Sequence, residues 1–316
     1  MRILFMGTPG YALPVLRRLL EREKLVGVVT SPDRPQGRRR KLISPPVKKL
    51  AREKGIPVYQ PEKVNSPSFI SRIERMAPDL IVVVGFGQIL SEKILSIPKI
   101  CCINLHFSLL PRYRGPAPIP WAIIKGEKYT GITLQKMEKE IDKGEIILQR
   151  KVPITLNDTA GTLEEKLSFM GADLIEKGVE MLKKREVEFL TQNEKQVSYA
   201  PKIKKSDGKI DWNKPCREIH NLVRGLNPSP GAFTLISLRG KKEKMKIWRT
   251  ELWEEEKKGE NYPGEIVKIK KEEGFLVKGG NGFLLIKEVQ LPNRRHINGY
   301  DFIKGYHLKE GFILGK

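Results

Sequence analysis

The alternation of short apolar runs with segments of helical periodicity over the first 120 residues constrains the fold more than any other feature of the sequence. Strands separated by helical segments are typical of βαβ units, in which consecutive strands lie parallel. The pattern predicts strands at 1–6, 25–30, 58–60, 80–84 and 101–105, and helices at 13–23, 46–54 and 67–76. Further strands at 133–137 and 145–152 and a helix at 162–184 complete this part. We therefore expect an α/β fold with a doubly wound, Rossmann-like parallel sheet.

The pattern changes after residue 190. Residues 191–208 lose periodicity and collect lysines among Ser, Pro and Asn, which is typical of a linker. A predicted helix at 215–226 is followed by strand-like runs at 232–237, 245–253, 264–270, 274–278 and 282–290. We predict a larger domain at 1–190, a basic linker at 191–208, and a small, OB-like C-terminal β-barrel at 209–316.

The net charge of +22, from 59 Lys and Arg against 37 Asp and Glu, favours a polyanionic partner, nucleic acid first. A surface of Lys–Glu ion pairs, as in thermophile proteins, is the alternative, but it does not explain the one-sided sum. In the segment 34–41 five of eight residues are basic, and clustered arginines suit phosphate contacts. The residues expected to bind nucleic acid are Arg38, Arg39, Arg40 and Lys41 and, as second-tier contacts, Lys202, Lys204 and Lys205.

Several functional classes are disfavoured by what the sequence lacks. No apolar run approaches the ~20 residues of a membrane span, and the N-terminus has no signal-peptide pattern. We therefore expect a cytoplasmic protein without membrane contact, a monomer by default. Three cysteines and four scattered histidines offer neither a disulfide framework nor metal-ligand spacing. No G-x-G-x-x-G motif supports a nicotinamide cofactor.

Two polar side chains end the strand predicted at 101–105. Side chains alternate along a strand, so Asn104 and His106 share one side and Leu105 faces the other. The carboxyl end of a central parallel strand is where open α/β sheets bind ligands. An amide donor beside an imidazole suits a carbonyl oxygen that gains negative charge. The alternative is that Asn104 caps a turn and His106 satisfies a buried loop carbonyl.

A carboxylate partner would orient the imidazole ring. The nearby candidates are Glu138, Glu140, Asp142 and Glu145. Asp142 precedes Lys143 and Gly144, a turn into the next predicted strand, and therefore belongs to a loop rather than to a solvated run of charges. We select Asp142 as the partner of His106.

These residues resemble the signature of the formyltransferases that use 10-formyltetrahydrofolate. The likeness rests on Asn104-x-His106, the run from 108 to 115, and Asp142-x-Gly144. The likeness extends over nearly the whole chain and includes the segments 7–9 and 210–212. The segment 32–38 and the C-terminal half resemble in particular the members that act on methionyl-tRNA.

The resemblance implies that a formyl group passes from N10 of 10-formyltetrahydrofolate to the methionine amine of initiator methionyl-tRNA. It also implies that the reaction supports translation initiation and needs no metal. It implies that Asn104 and His106 donate to the oxyanion while Asp142 holds His106 and helps to remove the amine proton. It places the loop 34–41 at the tRNA acceptor stem. The folate contacts it implies are Ser108, Leu109, Leu110, Pro111, Val84, Gly85, Phe86 and Gly87.

Two other functions share parts of this pattern. A formyltransferase for a small acceptor, or a 10-formyltetrahydrofolate hydrolase domain, would share Asn104, His106 and Asp142 but would not need the basic loop or the basic C-terminal half. A nucleic-acid-binding protein on a degenerate enzyme scaffold would not need the three polar residues. The basic segments and the polar triad together favour formyl transfer to tRNA.

Overall fold

The computed structural model describes residues 1–36, 41–253 and 261–316, which form two compact units. The first unit joins Met1–Pro118, Tyr129–Pro153 and Glu164–Ala200. The second unit joins Ile119–Lys128, Ile154–Leu163 and Pro201–Lys316. Residues 191–200, the first half of the stretch predicted as a linker, therefore belong to the first unit. The domain boundaries at 190 and 208 stay a prediction.

A seven-stranded sheet forms the centre of the first unit. The strands of this unit are β1 (Arg2–Gly7), β2 (Lys24–Val29), β3 (Arg34–Gln36), β4 (Lys41–Ile43), β5 (Val58–Tyr59), β6 (Leu80–Val84), β7 (Cys101–His106), β8 (Tyr129–Lys136) and β9 (Ile146–Pro153). β3 and β4 pair with each other, and the others follow the order β5-β2-β1-β6-β7-β8-β9. The first five of these are parallel to one another, whereas β8 runs antiparallel to both of its neighbours, β7 and β9. The predicted parallel sheet is confirmed, with an antiparallel edge that the sequence pattern did not specify.

The helices that begin within the first 200 residues are α1 (Leu13–Arg22), α2 (Pro46–Glu53), α3 (Pro67–Met76), α4 (Glu92–Leu95), α5 (Pro118–Ile124) and α6 (Ala160–Lys184). α1, α2 and α3 each have a proline in the first turn, where the missing N–H has no helical partner to lose. The predicted helices agree with α1, α2, α3 and α6 to within two residues at each end. α4 and α5, of four and seven residues, are too short to show a helical period and were not predicted.

The middle of the sheet positions the site. All five residues of β6 are buried, as expected for a strand covered on both faces. β6 lies between β1 and β7, and Val83 is in register with Asn104. The carboxyl ends of three parallel strands therefore meet at Gly7, Val84 and His106, the edge at which α/β sheets bind ligands.

The second unit is built on an antiparallel sheet. Its remaining elements are α7 (Cys216–Gly225), β10 (Ala232–Leu238), β11 (Lys241–Trp253), β12 (Ile266–Lys270), β13 (Gly274–Gly279), β14 (Gly282–Gln290), β15 (Ile297–Asn298) and α8 (Gly299–Tyr306). The strands follow the order β10-β11-β14-β13-β12, and β15 pairs with β14. Phe275, Ile286 and Phe302 lie in its core. The antiparallel C-terminal sheet is confirmed; its closure into an OB-like barrel stays a prediction, because the recorded pairings form an open path among the described residues.

Candidate active site

A cavity of about 440 Å³ opens in the first unit where β6 and β7 end. Gly85, Phe86 and Gly87 line it directly after β6. Gly85 has a φ of +59°, and a Cβ at this position would lie 2.3 Å from the hydroxyl of Tyr11. Only glycine therefore lets the backbone turn here beside the tyrosine. Val84, predicted with this group, is fully buried and is not among the described residues that line the cavity.

The rim of the cavity carries exposed apolar side chains. Ile89 is 64% exposed and Ile141 is 58% exposed, and both line the opening. Large apolar side chains that face a cavity of this size are typical of sites that bind an organic ligand with a flat, partly apolar body. The lining is therefore compatible with the folate that the family resemblance implies.

Asn104 and His106 reach the cavity from the end of β7, as their spacing predicts. His106 is 6% exposed and Asn104 is half-buried. The Nδ2 atom of Asn104 lies 3.4 Å from Oδ1 of Asp142. The Nδ1 atom of His106 lies 3.5 Å from the other carboxylate oxygen, Oδ2. The structure therefore brings the three predicted catalytic residues together at one cavity wall.

Asp142 lies in the turn between β8 and β9, with a side chain that is 11% exposed. Its Oδ2 accepts a hydrogen bond from the backbone N–H of Gly115 at 2.9 Å, and its Oδ1 accepts one from Nε2 of Gln135 at 2.9 Å. Both oxygens are thus held by donors other than His106, so these two bonds orient the carboxylate without a contribution from the imidazole.

The imidazole differs in one respect from the expectation. The Nε2 atom of His106 lies 2.9 Å from the backbone oxygen of Tyr113, a buried hydrogen bond. This contact is the one that the alternative interpretation described, in which His106 satisfies a loop carbonyl. His106 therefore combines both interpretations, because one nitrogen bonds a loop carbonyl and the other faces Asp142.

The segment after β7 has a structural part in the site. Ser108 is fully buried and donates from Oγ to the backbone oxygen of Arg112 at 2.6 Å. The N–H of Leu110 donates to Oγ1 of Thr133 at 3.1 Å. Among the described residues, the cavity lining passes from Phe107 to Gly115. Folate contacts stay a prediction for Ser108, Leu109, Leu110 and Pro111.

Tyr11 is a cavity residue that the sequence patterns did not single out. Its ring packs edge-on against Phe107, with centroids 5.0 Å apart. Burial, and then the charge of Glu164, raises the pKa of Tyr11 to about 12. The phenol therefore stays neutral at physiological pH and keeps a hydroxyl proton at the cavity wall.

Gln192 was also missed, since it lies in the stretch predicted as a linker. Its side chain is 5% exposed and donates to the backbone oxygens of Asp142 and Gly144. Arg114, 4% exposed, donates to the oxygen of the Gln192 amide. Local sequence carries no signal for this network, because its partners are 48 to 78 residues apart.

The predicted nucleic-acid contacts divide into two groups. Arg38, Arg39 and Arg40 lie outside the described residues, and Lys41 begins the backbone of β4. Lys202, Lys204 and Lys205 follow Ala200 and are exposed.

A second cavity, of about 400 Å³, lies in the second unit, and we call it the basic cavity. Lys205, Lys244 and Lys246 line it, and its described lining contains no Asp or Glu. The ammonium group of Lys244 lies 4.6 Å from the ring centroid of Phe233. Lys244 and Lys246 were missed because alternate lysines on a strand resemble an ordinary solvated face.

Within the described ranges, no helix combines the length and apolarity needed to cross a bilayer. Across residues 1–36, 41–253 and 261–316, no group of three or more His, Cys, Asp or Glu side chains is arranged to hold a metal ion.

Known proteins resemble this chain over its full length. The family described as Formyl transferase matches residues 1–178, and Formyl transferase, C-terminal domain, matches residues 202–307. Methionyl-tRNA formyltransferase of Geobacter sulfurreducens is 45% identical over 317 residues, covering 100% of this chain and 97% of the relative. The enzyme of the same name from Clostridioides difficile is 44% identical and covers 100% of both chains.

Solved structures share the fold at lower identity. The sugar 3N-formyl transferase WlaRD, crystallised in the presence of dTDP and 5-N-formyl-THF, has a TM-score of 0.65 at 23% identity, over 93% of this chain and 99% of its own. HypX from Aquifex aeolicus, in complex with tetrahydrofolic acid, has a TM-score of 0.66 at 17% identity, over 98% of this chain and 48% of its own. At these identities the likeness bears on the fold alone.

An open α/β sheet with polar groups at the carboxyl ends of its central strands defines a class of ligand-binding α/β enzymes. Within that class, two family matches and relatives above 40% identity identify the chain more closely. The chain belongs to the formyl transferase family.

Proposed function

We propose that the chain transfers the formyl group of 10-formyltetrahydrofolate to the amino group of methionyl initiator tRNA, in the cytoplasm, and so supports translation initiation. The observation that carries the proposal is the convergence of Asn104, His106 and Asp142 on one cavity. The relatives named methionyl-tRNA formyltransferase support the identity of donor and acceptor.

The reaction joins the methionine nitrogen to the formyl carbon and breaks the bond between that carbon and N10 of the folate. The carbonyl oxygen becomes an oxyanion as the amine attacks, the amine loses a proton, and N10 gains one. Asn104 donates to the oxyanion; in support, its amide is engaged within the described part of the chain by a single long contact, of 3.4 Å, to Asp142.

His106 and Asp142 share the remaining tasks. Nε2 of His106 donates to the Tyr113 oxygen, so a further proton on Nδ1 makes the ring cationic. Because Nδ1 lies 3.5 Å from Oδ2 of Asp142, farther than a normal hydrogen bond, that proton is available to the oxyanion without a change in the ring's orientation. The carboxylate of Asp142 then takes the amine proton directly or through one water. The bond from His106 to the Tyr113 oxygen fixes the ring while this happens.

Contact with tRNA is assigned to the basic segments. We infer that the basic segment with Arg38, Arg39, Arg40 and Lys41 and the exposed Lys202, Lys204 and Lys205 neutralise phosphates, as clustered cations do. The basic cavity, with Lys205 in its lining, adds Lys244 and Lys246 to this set.

The test is a transfer assay with purified protein and 10-formyltetrahydrofolate. We expect formylation of Met-tRNA and none of free methionine. Formylation of free methionine at a comparable rate would favour a small-acceptor enzyme, and release of formate without an acceptor would favour a hydrolase. Binding of tRNA without turnover of the folate would favour a nucleic-acid-binding protein.

A further inference from the structure

The turn that carries Asp142 has an uncommon backbone conformation. Asp142 has a φ of +53°, in the left-handed region that side chains other than glycine rarely adopt. A Cβ on Gly144 would lie 1.8 Å from the backbone oxygen of Lys136. Such conformations persist only where surrounding groups hold them, and they concentrate at functional sites.

One side chain holds both ends of this turn. The Nε2 atom of Gln192 donates to the backbone oxygen of Asp142 at 2.8 Å and to that of Gly144 at 2.7 Å. The Oε1 atom of Gln192 accepts from Nε of Arg114 at 3.1 Å and from Nη2 at 2.8 Å. Every donor and acceptor of this buried amide is therefore in use.

The chemistry of the partners fixes which way the amide points. A guanidinium only donates and a backbone carbonyl only accepts, so the oxygen of Gln192 must face Arg114 and its nitrogen must face the turn. Arg114 is locked in its own place by Glu194, through Nη2 at 2.8 Å. The chain of bonds runs from Arg114 through Gln192 to the backbone beneath the carboxylate.

We propose that Gln192 is a positioning residue for formyl transfer, which acts by holding the 142–144 turn so that the carboxylate of Asp142 faces His106. The proposal rests on the proposed function. Gln192 is outside the cavity lining among the described residues, so it acts through Asp142 rather than on the substrates. Displacement of a reacting group by about 1 Å can cost ~10²-fold in rate.

Gln192→Glu tests this with almost no change in shape. The variant keeps an acceptor for Arg114 but turns a carboxylate oxygen toward two carbonyl oxygens, which repel it. We expect kcat to fall ~10²-fold, as for a displaced catalytic group, while KM for the folate and for Met-tRNA stays near the wild-type value. Gln192→Met, which has no donor and a similar length, replaces it if the glutamate variant fails to fold.

A double-mutant cycle with Asp142→Asn separates positioning from general stability. If Gln192 acts through Asp142, Gln192→Glu should cost little more in the Asp142→Asn background. An equal loss in both backgrounds, or an unchanged kcat in the single variant, would overturn the proposal. Gln196→Glu is the matched control: it makes the same change at an exposed position four residues along the chain, so kcat should match the wild type.

The same variants distinguish failure of this inference from failure of the proposed function. A wild-type protein without formyl transfer to Met-tRNA would overturn the function. In that event a crystal structure of the Gln192→Glu variant decides the inference alone. A displaced 142–144 turn would support it, and an unmoved turn would overturn it.

Discussion

The turn at Asp142 and the lysines of the basic cavity are both charged regions, but their charges are held in different ways. The carboxylate of Asp142 is 11% exposed and bonds to the N–H of Gly115 and the amide of Gln135. Lys205 and Lys244 are exposed and face a cavity without carboxylates in its described lining. A charge fixed by buried bonds acts through geometry, whereas exposed cations act through a field that salt screens. Substitutions in the two regions should therefore differ in size and in salt dependence.

The largest effect is expected from Asp142→Asn. The asparagine amide keeps the shape of the side chain but cannot accept a proton as a base. Its NH₂ group also faces a donor, the N–H of Gly115 or the amide of Gln135, which the carboxylate oxygens had accepted from. We expect kcat to fall ~10² to 10⁴-fold, the range for loss of a general base, at every salt concentration. Single-turnover formylation of Met-tRNA measures it. Glu188→Gln makes the same change at an exposed site and should leave kcat unaltered. If the loss of kcat in Asp142→Asn depended strongly on salt, the Asp142 turn would not differ from the basic cavity in the way described.

Asn104→Ala comes next, because it removes one oxyanion donor and leaves the Asp142 turn in place. The expected loss in kcat is ~10² to 10³-fold, with KM for the folate little changed. Steady-state kinetics with both substrates varied will show whether kcat falls while KM for the folate stays the same. Near wild-type turnover would remove Asn104 from the mechanism. Asn261→Ala, which removes an amide bonded to Glu265 in the second unit, is the control.

Gly144→Ala tests the geometry beneath the carboxylate. Since the new methyl group would lie 1.8 Å from the Lys136 oxygen, the turn must shift, and we expect a loss of about 1 to 3 kcal/mol in stability together with a lower kcat. Gly305→Ala is the counterpart in helix α8: its Cβ would have no atom of the described residues within 4 Å, and replacing a helical glycine should stabilise by about 0.5 to 1 kcal/mol. Thermal unfolding of the two variants checks the signs. A Gly144→Ala protein as stable and active as the wild type would contradict the tight turn.

The sequence predicted what local patterns encode. Helix α3 at Pro67–Met76 and strand β6 at Leu80–Val84 have the predicted bounds, because proline in the first turn and an unbroken apolar run specify them locally. The antiparallel direction of β8 was not predictable, since strand direction depends on the path of the chain between strands.

The candidate site shows the same limit. Asn104 and His106 could be placed on one side of a strand by alternation alone, and Asp142 could be chosen by its turn. A bond from His106 to a loop carbonyl was one of the two interpretations of the sequence, but which carbonyl it is could not be predicted, and neither could the Gln192 amide, because each depends on where a loop returns in three dimensions. Buried side-chain networks between distant segments carry no periodic signal.

The smallest effect is expected from the basic cavity, in the double variant Lys205→Gln, Lys244→Gln. Each lysine that neutralises a phosphate should contribute about 0.9 to the slope of log K against log salt concentration, so the double variant should flatten that slope by up to ~2 and raise KM for Met-tRNA several-fold at low salt. At high salt the variant and the wild type should converge, since the interaction that was removed is already screened. The value of kcat should not change, in contrast to every substitution at the Asp142 turn. Lys304→Gln, Lys309→Gln removes the same charge from exposed positions outside the cavity lining, so an equal change of slope in that variant would mean that net charge, and not the basic cavity, attracts the tRNA.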